Sequence, residues 1–428
     1  MRLPATLEVL RERNLARYAA ATAVSALGNG MADVALAFAI LGLAGPTELG
    51  VVFLAREIPL VVLVLLGGVW ADRISRKIIL VSADVVRCLA QASTAVLLLT
   101  GTADLWKIVL LQVAFGSANA FSRPATTGLV QQLVASERLQ KANALLGLAR
   151  SPAQIAGPAI GAVIVTAASP AWGLAADSMT FAISGSLILS LRLGSVARRA
   201  MGSVREDLRE GWREFTSRTW VWTIVSYFGL YQLTLFPALL VLGPFVAKQQ
   251  LGGAGAWGTI LAIEAIGSVV GGLLALRLRF PRPLIAATVL AMPEAVILLL
   301  LAVPAPVPVI AGMAFIGASC LTIGNVVWFS TLQRHIPEHA ISRISSFDWL
   351  GSVVFNPIGY VLVGPLSGAI GVPQTLLLAG SLNILFGFIL LSVRTVRSLP
   401  EFPAGSPGEP SSSTVLPPDV AVPSPPGR

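Results

Sequence analysis

Long apolar runs, separated by charged or Gly/Pro-rich breaks, recur along nearly the whole chain. They fall near residues 17–43, 49–70, 78–99, 105–124, 139–168 and 171–192, and again near 220–246, 254–276, 284–303, 306–332, 342–368 and 372–394. A helix needs about 20 apolar residues to cross the hydrocarbon core of a bilayer. A helix also satisfies its own backbone polar groups there, where no water can do so. The runs therefore predict an all-α integral membrane protein with 12 transmembrane helices. Composition agrees, because only 12% of the 428 residues are charged and 55% are hydrophobic. A domain facing water on all sides carries about 25% charged residues.

A net charge of +9 raises the question of nucleic acid. The placement of the charge excludes that partner. Lys107 and Lys248 fall on one side of the spans, Arg56, Arg87 and Arg150 fall within them, and the rest of the 30 Lys and Arg lie on the opposite side. This is the positive-inside bias, and it predicts cytoplasmic N- and C-termini in a bacterial-type inner membrane. Trp106, Trp172 and Trp257 fall at expected outer ends, where indole rings favour the interface. The first run is too long for a signal-peptide core and carries Asp33, so it is expected to stay as the first helix. Cys88 and Cys320 lie in different spans, which implies neither a disulfide nor a metal cluster.

The breaks divide the chain into a six-helix bundle at 1–192, a linker at 193–219, a second six-helix bundle at 220–397 and a Pro/Ser-rich tail at 398–428. The tail cannot bury a core and is expected to be disordered. In the linker, Val204, Leu208, Trp212 and Phe215 recur at helical spacing, which predicts an amphipathic helix along the cytoplasmic leaflet or a solvated helical connector. The two halves echo each other about 200 residues apart. Gln132–Arg138 matches Gln333–His339, Pro158–Gly161 matches Pro357–Gly359, and Gly67-Gly68 matches Gly271-Gly272. Parallel repeats of this kind place a ligand site between the halves near mid-membrane.

Between the second and third runs stands Gly68-Val-Trp-Ala-Asp72-Arg73-Ile-Ser75-Arg76-Lys77. It resembles the cytoplasmic loop signature of the major facilitator superfamily, with Ser75 in place of the second glycine. The resemblance implies that Gly68, Asp72, Arg73, Arg76 and Lys77 form a conformational latch between the halves. Gly157-Pro158-Ala-Ile-Gly161 in the fifth run resembles the antiporter motif of that family, with Ala153 and Ala162 at its outer glycine positions. Gln112 stands where the drug–proton antiporters keep an arginine. Phe53–Pro59 and Arg343–Trp349 are similar to the branch that contains enterobactin exporters and macrolide-efflux proteins. Close packing of small residues is the alternative reading of the fifth run.

An ionisable group in a span costs about 2.5 kcal/mol or more at its centre, so each is a candidate for function. Helix rise places Asp33, Arg56 and Glu57 at similar depth, and Asp33 is expected to pair with Arg56. Asp33, Arg56, Glu57, Glu264 and Glu294 are the candidates for proton coupling. A permanent structural pair is the alternative for Asp33. Asp84, Arg87 and Gln91 form a stripe on the third helix. Asn29, Gln112, Asn119, Arg150, Gln154, Tyr227, Tyr231 and Asn325 are candidates to line a substrate cavity. Arg150 would either attract an anion or hold a neighbouring helix.

His335-Ile-Pro-Glu338-His339 fits a zinc pattern by letters, but Pro337 interrupts the helix that such a site needs. No metal or cofactor is expected, and no phosphate-binding Gly-Lys-Ser/Thr loop is present. The expectation is a monomeric secondary transporter, not an enzyme, whose partners are lipid, a small-molecule substrate and protons. Efflux of an amphiphilic molecule (a siderophore, macrolide or other drug or secondary metabolite) by alternating access is the leading reading. Uptake or facilitated diffusion and a non-transporting sensor or scaffold are the alternatives.

Overall fold

The computed structural model describes residues 12–134, 138–192, 204–303 and 305–401. Among them every regular element is helical. The first group comprises α1 (Arg13–Leu43), α2 (Pro46–Arg73), α3 (Arg76–Leu99), α4 (Leu105–Leu133), α5 (Leu139–Ala167) and α6 (Pro170–Leu189). A connecting helix, α7 (Val204–Thr216), follows. The second group comprises α8 (Thr219–Val246), which runs on into one π turn, then α9 (Ala254–Ala275), α10 (Pro283–Ala302) and α11 (Val307–His335). It ends with α12 (Glu338–Val353), α13 (Asn356–Ile370), α14 (Val372–Ser392) and the short α15 (Arg394–Ser398). Ten described segments are long and apolar enough to cross a membrane, and α2 and α4 add two more helices of 28 and 29 residues.

The run expected as one span over 342–368 is found as one apolar span, Phe347–Ile370, whose helix is interrupted between α12 and α13. The chain turns at Val354 and Phe355 because Pro357 has no N–H to donate and its ring crowds the preceding turn. Helical bonding resumes with Gly359 N donating to Phe355 O at 3.1 Å. The residues that resemble a zinc motif are likewise divided, with His335 ending α11 and Pro337 capping α12. The tail beyond residue 401, with the rest of the proline-rich segment, lies outside the described residues.

Within the first group α1 packs on α5 and α6, α3 on α4 and α6, and α2 on α4. Within the second, α11 packs on α9 and α10, while α14 and α13 pack on α8. The groups meet mainly through α5 against α9 and α2 against α13. Lipid tails are as apolar as leucine, so these helices associate by close packing more than by expulsion of water. Small residues make that approach possible. A Cβ on Gly258 of α9 would lie 2.2 Å from Ala162 Cβ of α5, and one on Gly50 of α2 would lie 2.5 Å from Tyr360 O of α13. Lys248 Nζ also donates to Leu41 O, joining the end of α8 to the end of α1.

The contacts of Gly258, Gly50 and Lys248 between the groups sit toward the end of the molecule away from the chain termini. There one apolar core is shared by both groups, with Leu36 and Leu174 packed together with Leu242 and Trp257. Toward the terminus-bearing end the core divides. One part holds Leu15, Leu80, Leu129 and Leu146, and the other holds Val221, Leu284, Trp328 and Leu332. The molecule is therefore sealed at one end and parted at the other. Across the parted end, the Arg123 guanidinium of α4 lies 5.6 Å from the Trp349 ring of α12. Trp212 and Phe215 of α7 rest on Phe347 of α12, with ring centres 5.6 and 5.9 Å away. The connector is thus anchored to the second group by its aromatic face.

Candidate functional site: a polar cavity below the sealed end

Below the seal lies a cavity of about 540 Å³ walled by α1, α3, α4, α5 and α6. Of the residues singled out in the sequence, Asn29, Asp33, Asp84, Arg87, Arg150, Gln154 and Pro158 line it, together with Arg123. Tyr18, Leu80 and Ile188 add apolar and aromatic surface. These helices are apolar over most of their length, and several of the polar side chains they carry collect on this surface, which lipid does not touch.

Two ion pairs brace the wall. Arg56 Nη1 of α2 meets Asp33 Oδ1 of α1 at 2.9 Å, the pair expected from helix rise. Asp33 is 52% exposed and Arg56 only 13%, so the carboxylate faces the cavity and the guanidinium stands behind it. The guanidinium also covers the Phe115 ring at 4.3 Å, which offsets part of its desolvation. Arg87 Nη2 meets Asp84 Oδ1 at 2.5 Å, while its Nη1 donates to Asn119 Oδ1 at 3.2 Å. It lies 4.6 Å from the Phe181 ring centre. Asn119 thus positions an arginine instead of lining the cavity.

Sequence reasoning missed Asp177 of α6. It is fully buried, accepts from Gln91 Nε2 at 2.7 Å and from Thr180 Oγ1 at 3.2 Å, and has no ion pair among the described residues. A carboxyl inside the apolar run 171–192 was the available signal.

Several other candidates do not line this cavity. Gln112 is fully buried, and neither atom of its amide has a hydrogen-bond partner among the described residues. It lies one turn from Gly116, where α4 touches the Arg56 backbone of α2, so it faces a helix interface. Tyr227 Oη donates to Asn383 Oδ1 at 3.4 Å within the second group, and Tyr231 is buried in the shared core. Asn325 is half-buried in α11, away from the cavity lining. Glu57 is half-buried beside Arg56, within electrostatic reach of Arg123. Glu294 is buried in the second group, and its Oε2 has no hydrogen-bond partner among the described residues. It faces Gly317 of α11, and Glu264 is close enough for the two carboxyl groups to interact. They form a second acidic cluster, apart from the cavity.

The glycines of the fifth helix explain how α1 and α5 frame the cavity. A Cβ on Gly157 would lie 2.7 Å from Leu27 O, and one on Gly161 would lie 2.7 Å from Met31 Cα. Gly30 of α1 seats the Pro158 ring in return. The adjacent face of α5, through Pro158 O and Ala162, meets Gly258 of α9. One helix therefore ties the cavity wall to the seal.

The side chains of Gly68, Asp72 and Arg73 lie outside the described residues. Arg76 Nη1 donates to Gly128 O at 2.5 Å, and Lys77 Nζ donates to Leu191 O at 2.8 Å. Arg17 Nη1 donates to Ser190 O at 2.9 Å beside it. Lys77 and Arg17 satisfy carbonyls left open just past the end of α6, whereas Arg76 reaches a carbonyl inside α4. In this parted conformation Arg76 and Lys77 hold α4 and α6 of their own group and not the opposite one. Among the described residues no cluster of His, Cys, Asp or Glu could hold a metal ion.

The family model described as Major Facilitator Superfamily matches residues 18–352. The multidrug efflux pump Tap of Mycobacterium tuberculosis (strain ATCC 25618 / H37Rv) is 24% identical over 395 residues, covering 89% of this chain and 93% of that protein. The pump of the same name from Mycolicibacterium fortuitum is 25% identical over 394 residues, covering 87% and 93%. Among solved structures, a bacterial homologue of the human lysosomal transporter Spinster, inward-facing and unoccupied, superposes with a TM-score of 0.69 at 14% identity. It spans 90% of this chain and 97% of that one. The nucleoside transporter NupG gives 0.70 at 13% identity, over 88% and 98%. At such identities the structures show the shared fold.

Proposed function

The chain belongs to the major facilitator superfamily and is a multi-pass membrane transporter, and on that premise we propose that it exports a small amphiphilic organic molecule in exchange for protons. The observation that carries this reading is the cavity. It is sealed at one end, it reaches toward the terminus-bearing end, and it mixes ion pairs with aromatic and aliphatic wall. Its volume of about 540 Å³ lies in the range of sites for drug-sized ligands. The positive-inside rule assigns the terminus-bearing face to the cytoplasm. The cavity would then load from inside the cell, as an exporter requires. The likeness to the Tap pumps along almost their full length supports the same direction.

Alternating access follows from how the two groups are joined. α5–α9 and α2–α13 touch through glycine and alanine at the sealed end, so rocking the groups against each other would part those faces and close the cytoplasmic ones, beside a cavity lined by the first group and not, as expected, by both halves. Asp33 is the proton acceptor in this scheme, because its carboxylate is open to the cavity while its partner Arg56 is fixed behind it. A proton on Asp33 would weaken the pair and so report cavity occupancy to α2, a helix of the seal. Asp84 and the Glu264–Glu294 cluster supply further exchangeable carboxyls.

The test uses everted vesicles that acidify on energisation. Adding an exported compound from a panel of siderophores, macrolides and cationic dyes should dissipate part of the pH gradient, only when the protein is present. Proton-driven accumulation of the same compounds in intact cells would overturn export in favour of uptake. Movement in neither preparation would overturn the carrier reading.

A further inference from the structure

The geometry points to an anion-binding subsite in this cavity, formed by Arg123 of α4 and Arg150 of α5, for the carboxylate or sulfonate of an amphiphilic organic substrate. The inference rests on the transport reading above and names the substrate's charge. The two carboxylates of the cavity wall, Asp33 and Asp84, already hold Arg56 and Arg87. Arg123 and Arg150 line the same cavity, are exposed within it, and form no ion pair among the described residues. Arg150 makes no hydrogen bond there either, and Glu57 stands within electrostatic reach of Arg123 without pairing to it.

The two arginines share a depth in the same cavity. Counted from the terminus-bearing ends of their helices at about 1.5 Å per residue, each lies roughly 15 Å into the molecule. Neutral donors surround them. Thr126 follows Arg123 by one turn on α4, and Gln154 follows Arg150 by one turn on α5. Tyr18 and Thr22 of α1 line the same cavity. Guanidinium groups set ten or more residues inside membrane-spanning helices without counter-ions are costly unless something compensates them. The planar, always-charged guanidinium binds carboxylate and sulfonate oxygens through paired N–H groups, and an open cavity leaves the partner's place to a ligand. The aliphatic and aromatic wall around Leu80, Pro158 and Ile188 would take the ligand's apolar part.

Arg123 adds a link to conformational change, since it also stacks on Trp349 of the opposite group. An anion drawn between Arg123 and Arg150 would therefore bear on a contact that spans the parted end.

Two xanthene dyes of similar size and opposite charge test this. Binding of fluorescein and of rhodamine 123 to the full chain in phosphatidylcholine nanodiscs is read by fluorescence anisotropy. Fluorescein should bind more tightly than rhodamine 123, and the double variant Arg123→Gln/Arg150→Gln should weaken it about a hundredfold, roughly tenfold for each charged contact. Arg123→Lys/Arg150→Lys should recover part of the affinity, which a merely misfolded variant would not. Equal fluorescein binding by the wild type and the glutamine variant, preference for rhodamine 123, or binding of neither dye would overturn the subsite. Transport separates this from the carrier reading. Rhodamine 123 moved without fluorescein sinks the subsite and keeps the carrier, whereas fluorescein bound but not moved does the reverse.

Discussion

Asp33 and Arg56 show how an intramembrane pair can be at once structural and open to exchange. The acid is half-exposed to the cavity and the base is buried against Phe115, so their losses are unequal. Removing the acid strands a buried guanidinium, whereas removing the base leaves a carboxylate that water in the cavity can solvate. Asp33→Ala should therefore destabilise the protein by about 3 kcal/mol, more than Arg56→Leu, and the double variant should recover much of the loss. Thermal unfolding in detergent measures all three. Asp33→Asn should retain most of the stability yet lose proton-driven transport, and unchanged pH-gradient-dependent efflux by that variant would remove Asp33 from coupling. The pair was legible in the sequence because helix rise alone fixes depth. Gln112 was not legible, because α4 is apolar almost all round and hydropathy carries no signal of which side meets α2. Asp177 was legible in principle, as a carboxyl in an apolar run.

At the scale of elements, α5 carries the most constraint. Its glycines set the distance to α1 on one face, and Ala162 sets the distance to α9 on another. Gly161→Leu would drive a side chain into the Met31 backbone, which cannot yield as a flexible side-chain tip can. A destabilisation of roughly 3 kcal/mol is expected, with a shift in thermal unfolding and reduced yield of monodisperse protein. Gly147→Leu is the control, because nothing lies within 4 Å of a Cβ built there. If Gly161→Leu unfolded at the temperature of that control, the α1–α5 contact would not be holding the wall. The motif Gly157-Pro158 to Gly161 announced close packing, but not that two faces of one helix serve two different neighbours. The break between α12 and α13 was likewise written in Pro357, yet the hydropathy of 342–368 runs through it unmarked. Pattern reports burial well and reports bending only where proline is weighed as a backbone defect.

At the scale of the molecule, the sequence echoes pointed to two halves but carried no sign of the conformation, because a carrier's sequence must encode both of its end states with similar stability. A core shared at one end and divided at the other is one of those states. The opposite state requires the α5–α9 and α2–α13 faces to separate, and a covalent tie across one of them should stop the cycle. Thr166 and Gly255 suit such a tie, since a Cβ at 255 lies 3.9 Å from Thr166 Oγ1, the position a cysteine sulfur would take. With Cys88 and Cys320 replaced by serine, Thr166→Cys/Gly255→Cys should transport normally when reduced and fall below about a tenth of that rate when oxidised, with recovery on adding dithiothreitol. The magnitude follows from population arithmetic, because a state that must be visited each cycle and is held closed by a bond contributes no turnover. Ligand binding from the parted side should survive oxidation, so loss of transport with retained binding identifies a blocked transition and not an unfolded protein. Full transport by demonstrably cross-linked protein would mean that the sealed end never opens, and alternating access about this cavity would have to be abandoned.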